Sequence, residues 1–158
     1  MGFKEDLKKG QKVEEEIASI IRLKYPMASV VEGYNKGYDI MVPEIPCKVE
    51  VKYDIMSHMT GNFFIESNYD SKPSGIVTTE AEWWVQVDKD EIMWILSDTL
   101  HYLIRQWRLK EISFTGSHKS SPKKGYLVPK KKLYATPYPI IFERKLCKIS
   151  PALRRIRK

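Results

Sequence analysis

The sequence predicts an α/β protein in one domain, a β-sheet with a few helices packed on it. Three observations carry this. The chain has 158 residues, 42% apolar and 30% charged, which is enough for one real core in the proportions of a globular chain. An early segment repeats apolar residues at helical spacing. Several short strand-forming runs follow, separated by turn residues, and then a second helical stretch. The order helix, strands, helix, tail admits α/β or α+β architecture.

Residues 11–25, QKVEEEIASIIRLKY, put Val13, Ile17, Ile20, Ile21 and Lys24 on one stripe, a helix that Pro26 stops. SVVEGY (29–34) is a short strand and NKG a turn. YDIMV (38–42) is a second strand, PEIP turns the chain, and CKVEVKYD (47–54) is a third. After the break SHMTG, NFFIESNY (62–69) makes a fourth, and SKPSG is a loop. TTEAE reads as a short helix capped by Thr78 or Thr79. WWVQVD (83–88) is a strand that pairs with EIMWILS (91–97) across the DKDE turn. Ser97 or Asp98 caps a helix over TLHYLIRQWRLK. From about Glu111 the chain reads as loop-rich, with a brief strand at GYLVP (125–129) and a basic, frayed end.

No apolar run is long enough to cross a bilayer, and the charged N-terminus is not a secretory signal, so a cytoplasmic location is expected. Gly2 lacks a myristoylation context. Cys47 and Cys147 read as reduced thiols, and His58, His101 and His118 are scattered without metal spacing. Trp83 and Trp84 project to opposite faces of their strand, one for the core and one covered by a helix or a partner.

The charge is uneven. Residues 1–111 hold 14 Lys/Arg against 19 Asp/Glu, whereas residues 112–158 hold 13 Lys/Arg against Glu143 alone. A basic half on a folded domain suggests a polyanionic partner, here a nucleic acid, because Tyr126, Tyr134, Tyr138 and Phe142 are interleaved with the lysines. Lys123, Lys124, Lys130, Lys131 and Lys132 form the candidate track for a DNA backbone. Lys72, Ser74 and the Gly75 amide could contact phosphate from the SKPSG loop. Thr78 and Thr79 could cap a helix whose N-terminus faces one, or simply cap it.

The candidate chemistry lies in the second and third strands. Side chains alternate along a strand, so Glu50 and Lys52 share the face away from Val49 and Val51. If the two strands pair around PEIP, Asp39 approaches Glu50. Two carboxylates brought together repel, and a divalent cation with a taste for hard oxygen, such as Mg²⁺, relieves that repulsion. Lys52 then stands beside it to orient water or to stabilise charge on a phosphate. Acid-x-Lys also occurs at Asp6/Lys8, Asp70/Lys72 and Glu143/Lys145, and an ordinary amphipathic hairpin accounts for the pattern about as well. Glu66 reads as an exposed strand residue in preference to a supporting acid.

Asp39 followed by Glu50-Val51-Lys52, after a glutamate-bearing helix, resembles the PD-(D/E)XK nuclease superfamily, and within it the archaeal-type Holliday junction resolvases and their phage-encoded relatives. Those carry a basic residue, Gly, three residues and Glu on the first helix, which KKGQKVEEEI matches at Glu14. The phage type has a stretch similar to TGNFFIES…KPSGIVTTEAEWWVQV, here residues 60–87. The resemblance covers roughly residues 8–97, and Gly37-Tyr38 stands before Asp39 where the family label has Pro.

The resemblance implies a restriction-endonuclease-like central mixed sheet flanked by helices, and a Mg²⁺-dependent phosphodiesterase in which Mn²⁺ substitutes. Asp39, Glu50 and the Val51 carbonyl would bind metal, Lys52 would position water, and Glu14 would reach the same cleft. The expected partner is a four-way DNA junction cut by a homodimer, in the host cytoplasm if the protein is phage-encoded. A restriction-type or nicking enzyme on linear DNA, and a non-catalytic nucleic-acid-binding domain, are the competing expectations.

Overall fold

In the computed structural model, residues 3–33, 37–114 and 121–144 are described. Helix α1 (Phe3–Arg22) starts well before residue 11, because FKEDLKKG is made mostly of good helix formers even though it lacks an apolar stripe. It ends at Arg22, whose Nε donates to the Ala28 carbonyl at 2.7 Å across the turn that follows. The short strands β1 (Ser29–Val30) and β2 (Ile40–Val42) pair antiparallel, and β2 pairs in turn with β3 (Cys47–Tyr53) around the proline-bounded turn. Then come α2 (Ser57–Thr60), β4 (Asn62–Tyr69), β5 (Lys72–Pro73), β6 (Trp83–Val87), β7 (Glu91–Leu96), α3 (Ser97–Gln106), β8 (Glu111–Phe114), β9 (Lys123–Pro129), α4 (Lys130–Ala135) and β10 (Ile141–Arg144).

These elements make one α/β domain around a mixed sheet in the order β1-β2-β3-β6-β7-β10, with β3 and β6 parallel and the other pairs antiparallel. Parallel strands need a long crossover, and here residues 54–82 supply it by building part of a second, antiparallel sheet in the order β5-β4-β9-β8. The central sheet therefore buries both faces. On one, α1 lays Val13, Ile17 and Ala18 over Val42, Val49, Val51, Val85 and Val87. On the other, Trp84, Met93 and Ile95 meet Phe63 and Ile65 of the second sheet, Leu100 and Leu103 of α3, and Leu133 of α4. Trp84 is fully buried on this second face, while Trp83 packs on the first.

Several expected features differ. The C-terminal part is not loop-rich: β8, β9, α4 and β10 occupy most of its described residues. TTEAE forms no helix. A 3₁₀ turn over Gly75–Val77 precedes it, and Thr79 Oγ1 instead donates to the Gly37 carbonyl at 3.1 Å. Neither Ser97 nor Asp98 caps α3, whose N-cap position is Leu96 with no side-chain bond. Cys47 is a buried free thiol, and Cys147 lies outside the described residues. No helix among the described residues is long and apolar enough to cross a membrane.

Candidate active site

The hairpin register decides where the acids go. Ile40 sits opposite Val49, so Asp39 and Glu50 fall on the face opposite α1. Asp39 is pinned at two points. Its amide donates to the Val49 carbonyl at 2.8 Å, and its Oδ2 accepts the Val51 amide at 2.8 Å. The N–H and C=O of one strand residue point to the same edge, so the Val51 carbonyl also faces the Asp39 side.

Glu50 is 6% exposed, and its Oε1 lies 2.6 Å from Lys52 Nζ. Lys52 passes 5.9 Å from the centre of the Trp84 ring on the neighbouring parallel strand. Burial raises the Glu50 carboxyl above its ordinary value; Lys52 works against this, and the charges of Asp39 and Glu66 add to it. For Lys52, burial alone would lower the ammonium. Glu50, Asp39 and Glu66 outweigh burial and hold it above the ordinary lysine value. Near neutral pH Lys52 is therefore a cation, suited to orienting and stabilising a negative group rather than taking a proton.

Glu50 and Lys52 are brought into contact, and the Asp39 carboxylate is held beside them on the Val51 amide. Glu14 is different: it is half-buried on α1, whose Val13–Ile17–Ala18 stripe covers the other face of the sheet. An apolar cavity of about 380 Å³ also lies on that other side, beside Val42, Val49, Trp83 and Trp94, and its lining includes none of Asp39, Glu50 and Lys52.

Two residues matter more here than their sequence context suggests. Glu66 is half-buried rather than exposed: Ser74 Oγ donates to its Oε1 at 2.7 Å, and Lys123 Nζ stands 3.9 Å from its Oε2. Gln86, in register with Lys52 and 1% exposed, accepts Trp84 Nε1 at 2.8 Å and donates to the Phe64 carbonyl at 3.2 Å. Its signal was a polar residue inside an otherwise apolar strand, WWVQV. Gln86 and Asp54, whose Oδ2 accepts the Phe64 amide at 2.8 Å, join β4 to the ends of β3 and β6.

The SKPSG loop is shaped by Gly75, which has φ +52°; a Cβ there would stand 2.2 Å from the Glu66 carbonyl oxygen. Gly75→Ala is expected to cost about 1–3 kcal/mol through backbone strain and overpacking, read by chemical denaturation. An unchanged midpoint would mean that the loop does not sit against β4.

Of the expected DNA contacts, Lys72, Lys124, Lys131 and Lys132 are exposed, as is Thr78, while Ser74 is turned toward Glu66. Lys123 is half-buried between Glu66 and the Tyr69 ring. Lys130 is a correction. It is 8% exposed, and its ammonium bonds the buried Asp88 and lies 3.1 Å from Glu91. It is a structural cation, unavailable to a phosphate.

Among the described residues, no group of three or more His, Cys, Asp and Glu side chains is gathered as a metal cage. The chain matches no family model, no curated protein and no solved structure.

Proposed function

We propose that this protein is a Mg²⁺-dependent endonuclease that cuts DNA at four-way junctions. The observation that carries the reading is the Asp39–Glu50–Lys52 cluster: a carboxylate just before β2, held on the Val51 amide, and a buried one on β3 with an ammonium 2.6 Å from it. A helix, an antiparallel β1-β2-β3 meander and a strand parallel to β3 also support a restriction-endonuclease-like core.

The donor set fits Mg²⁺, which takes one or two carboxylates and keeps several waters. Asp39, Glu50 and the Val51 carbonyl would hold it. Burial is the main reason the Glu50 carboxyl is raised, and the nearby Asp39 charge adds to it; that repulsion between the two acids is the part a divalent cation relieves. Bound there, the ion would supply acidification of water and polarisation of a phosphoryl oxygen.

The chain's own residues do the rest. Val51 N–H fixes the Asp39 carboxylate. Lys52, held protonated by its acids, orients the attacking water and offsets charge gathering on the phosphate. Lys72, Lys124, Lys131 and Lys132 are the exposed cations for the backbone. They would give affinity and salt sensitivity without sequence choice. Glu14 enters only through the resemblance of its helix motif. A homodimer would present two such sites to a two-fold junction.

The test is a panel of labelled four-way junctions, flaps and linear duplexes of matched sequence, with Mg²⁺ or chelator. The expected result is Mg²⁺-dependent cutting of the junction above all. Cutting of the linear duplex alone would favour a restriction-type or nicking enzyme. Salt-sensitive binding without turnover on any DNA would favour a binding domain.

A further inference from the structure

Resting on the nuclease reading above, we infer that the outer face of the β5-β4-β9-β8 sheet is a stacking platform for unpaired nucleobases, so that the chain engages DNA where its strands part. Strand register builds the face. Lys72 on β5 lies opposite Tyr69 on β4, Tyr69 opposite Lys123 on β9, and Lys123 opposite Phe114 on β8. Residues directly opposite share a face, so cation, aromatic, cation and aromatic cross the sheet in one row. Phe114 is 54% exposed and Tyr69 39%, and the Lys123 ammonium lies 5.7 Å from the centre of the Tyr69 ring. Further along the same face, Ile112 lies opposite Gly125, and Phe64 opposite the exposed Leu127. Gly125 keeps the surface low. A Cβ there would stand 2.8 Å from Phe64 Cζ, so the Phe64 ring reaches across β9 toward Phe114, 6.3 Å away between centres. Tyr126, the next residue of β9, turns the other way onto the core.

A contiguous apolar patch rimmed by charge marks a docking surface, and the charge here selects the occupant. Open rings take the π-face of any base, and ammonium groups set between them take the phosphates that join successive bases. Glu66 shares the face, but its Oε1 accepts Ser74 Oγ and its Oε2 faces Lys123 at 3.9 Å, while Lys72 remains exposed. A second copy docked two-fold on this surface would crowd four lysines into one interface. The platform also adjoins the candidate site. The Phe64 carbonyl accepts Gln86, the register neighbour of Lys52, and the Phe64 amide donates to Asp54 at the end of the Lys52 strand.

The experiment measures fluorescence anisotropy of a labelled thymidine oligonucleotide and of a duplex of equal length, in chelator so that nothing is cut. Phe114→Ala and Tyr69→Ala are each expected to weaken single-strand binding about tenfold and duplex binding by less than about twofold. Phe114→Leu, which keeps apolar bulk without the ring, should lose as much as Phe114→Ala, and Phe114→Trp should hold the wild-type affinity. Lys72→Gln should flatten the slope of log affinity against log salt by about 0.7. Melting checks that each variant is folded. Unchanged single-strand binding in the alanine variants, or an equal loss on duplex, would overturn the inference. So would a dimer that Phe114→Ala splits with single-strand binding intact, which would make the face a subunit interface. A selective single-strand loss in a protein that cuts no junction would sink the nuclease reading alone. Junction cutting with single-strand binding unmoved would sink the platform alone.

Discussion

Glu50→Gln is expected to lose at least about a thousandfold in single-turnover junction cleavage, roughly 4 kcal/mol of barrier, and yet to melt above the wild type in chelator. The second half follows from burial. The Glu50 carboxyl is held above its ordinary value, first by desolvation and then by Asp39 and Glu66, against the pull of Lys52. A raised carboxyl contributes stability that is full below its unfolded value of about 4.3 and lost as pH rises through the folded value. At neutral pH the buried ion is a net cost that the amide removes, and Lys52 keeps Asp39 and Glu66 as partners. Mg²⁺ should raise the wild-type melting temperature by binding the native state and leave the variant's nearly unmoved. A variant that melts lower, still cuts and still responds to Mg²⁺ would show that Glu50 is an ordinary surface acid.

Lys130→Met is expected to cost about 3–5 kcal/mol of stability, because it strands a buried carboxylate. Asp88 is fully buried between the β6–β7 turn, α2 and α4. Its Oδ1 accepts the Asp90 and Glu91 amides at 2.7 and 2.8 Å, and its Oδ2 accepts Ser57 Oγ at 2.8 Å and the Lys130 ammonium. Burial would raise this carboxyl, but Lys130 and the hydrogen bonds reverse the sign and hold it below the usual carboxylate value. Its contribution is therefore full above the unfolded value of about 3.9 and lost as pH falls through the lower folded one. Without Lys130 the same carboxylate prefers its proton, so the deficit of the variant should narrow on mild acidification. Denaturant unfolding of both proteins between neutral and acid pH reads this. A loss under about 1 kcal/mol, of the size seen for exposed pairs, would return Lys130 to the solvated surface.

The difference between Lys130 and its neighbours explains what the sequence shows and what it hides. PKKKL looks like one basic run, but α4 begins at Lys130 and turns that residue alone inward to an acid 42 positions away, while Lys131 and Lys132 stay out. Nothing local distinguishes the three. Strands β3, β4, β6 and β7 were readable almost to the residue, because alternation, β-branched content and bounding turns all agree there. Strand β8 was not, because EISF is exposed along its whole length and is a strand only through pairing with β9. Asp39, Glu50 and Lys52 were legible for a simple reason: one hairpin and a period of two bring them together. Glu66 and Gln86 are held by contacts between separate strands and loops, Glu66 to Ser74 and Lys123 and Gln86 to the Phe64 carbonyl, that no single-segment pattern encodes.

Asp39→Asn tests the central assignment most directly. Asparagine keeps an oxygen to accept the Val51 amide, so the hairpin is preserved and only the charge is lost. The measurement is single-turnover cleavage of a labelled four-way junction by wild type and variant in Mg²⁺, at protein concentrations that saturate binding for both. The expected result is rapid cutting by the wild type and none by Asp39→Asn at equal junction occupancy. Equal rates from the two proteins would contradict the assignment and return these acids to the ordinary charged face of a β-hairpin.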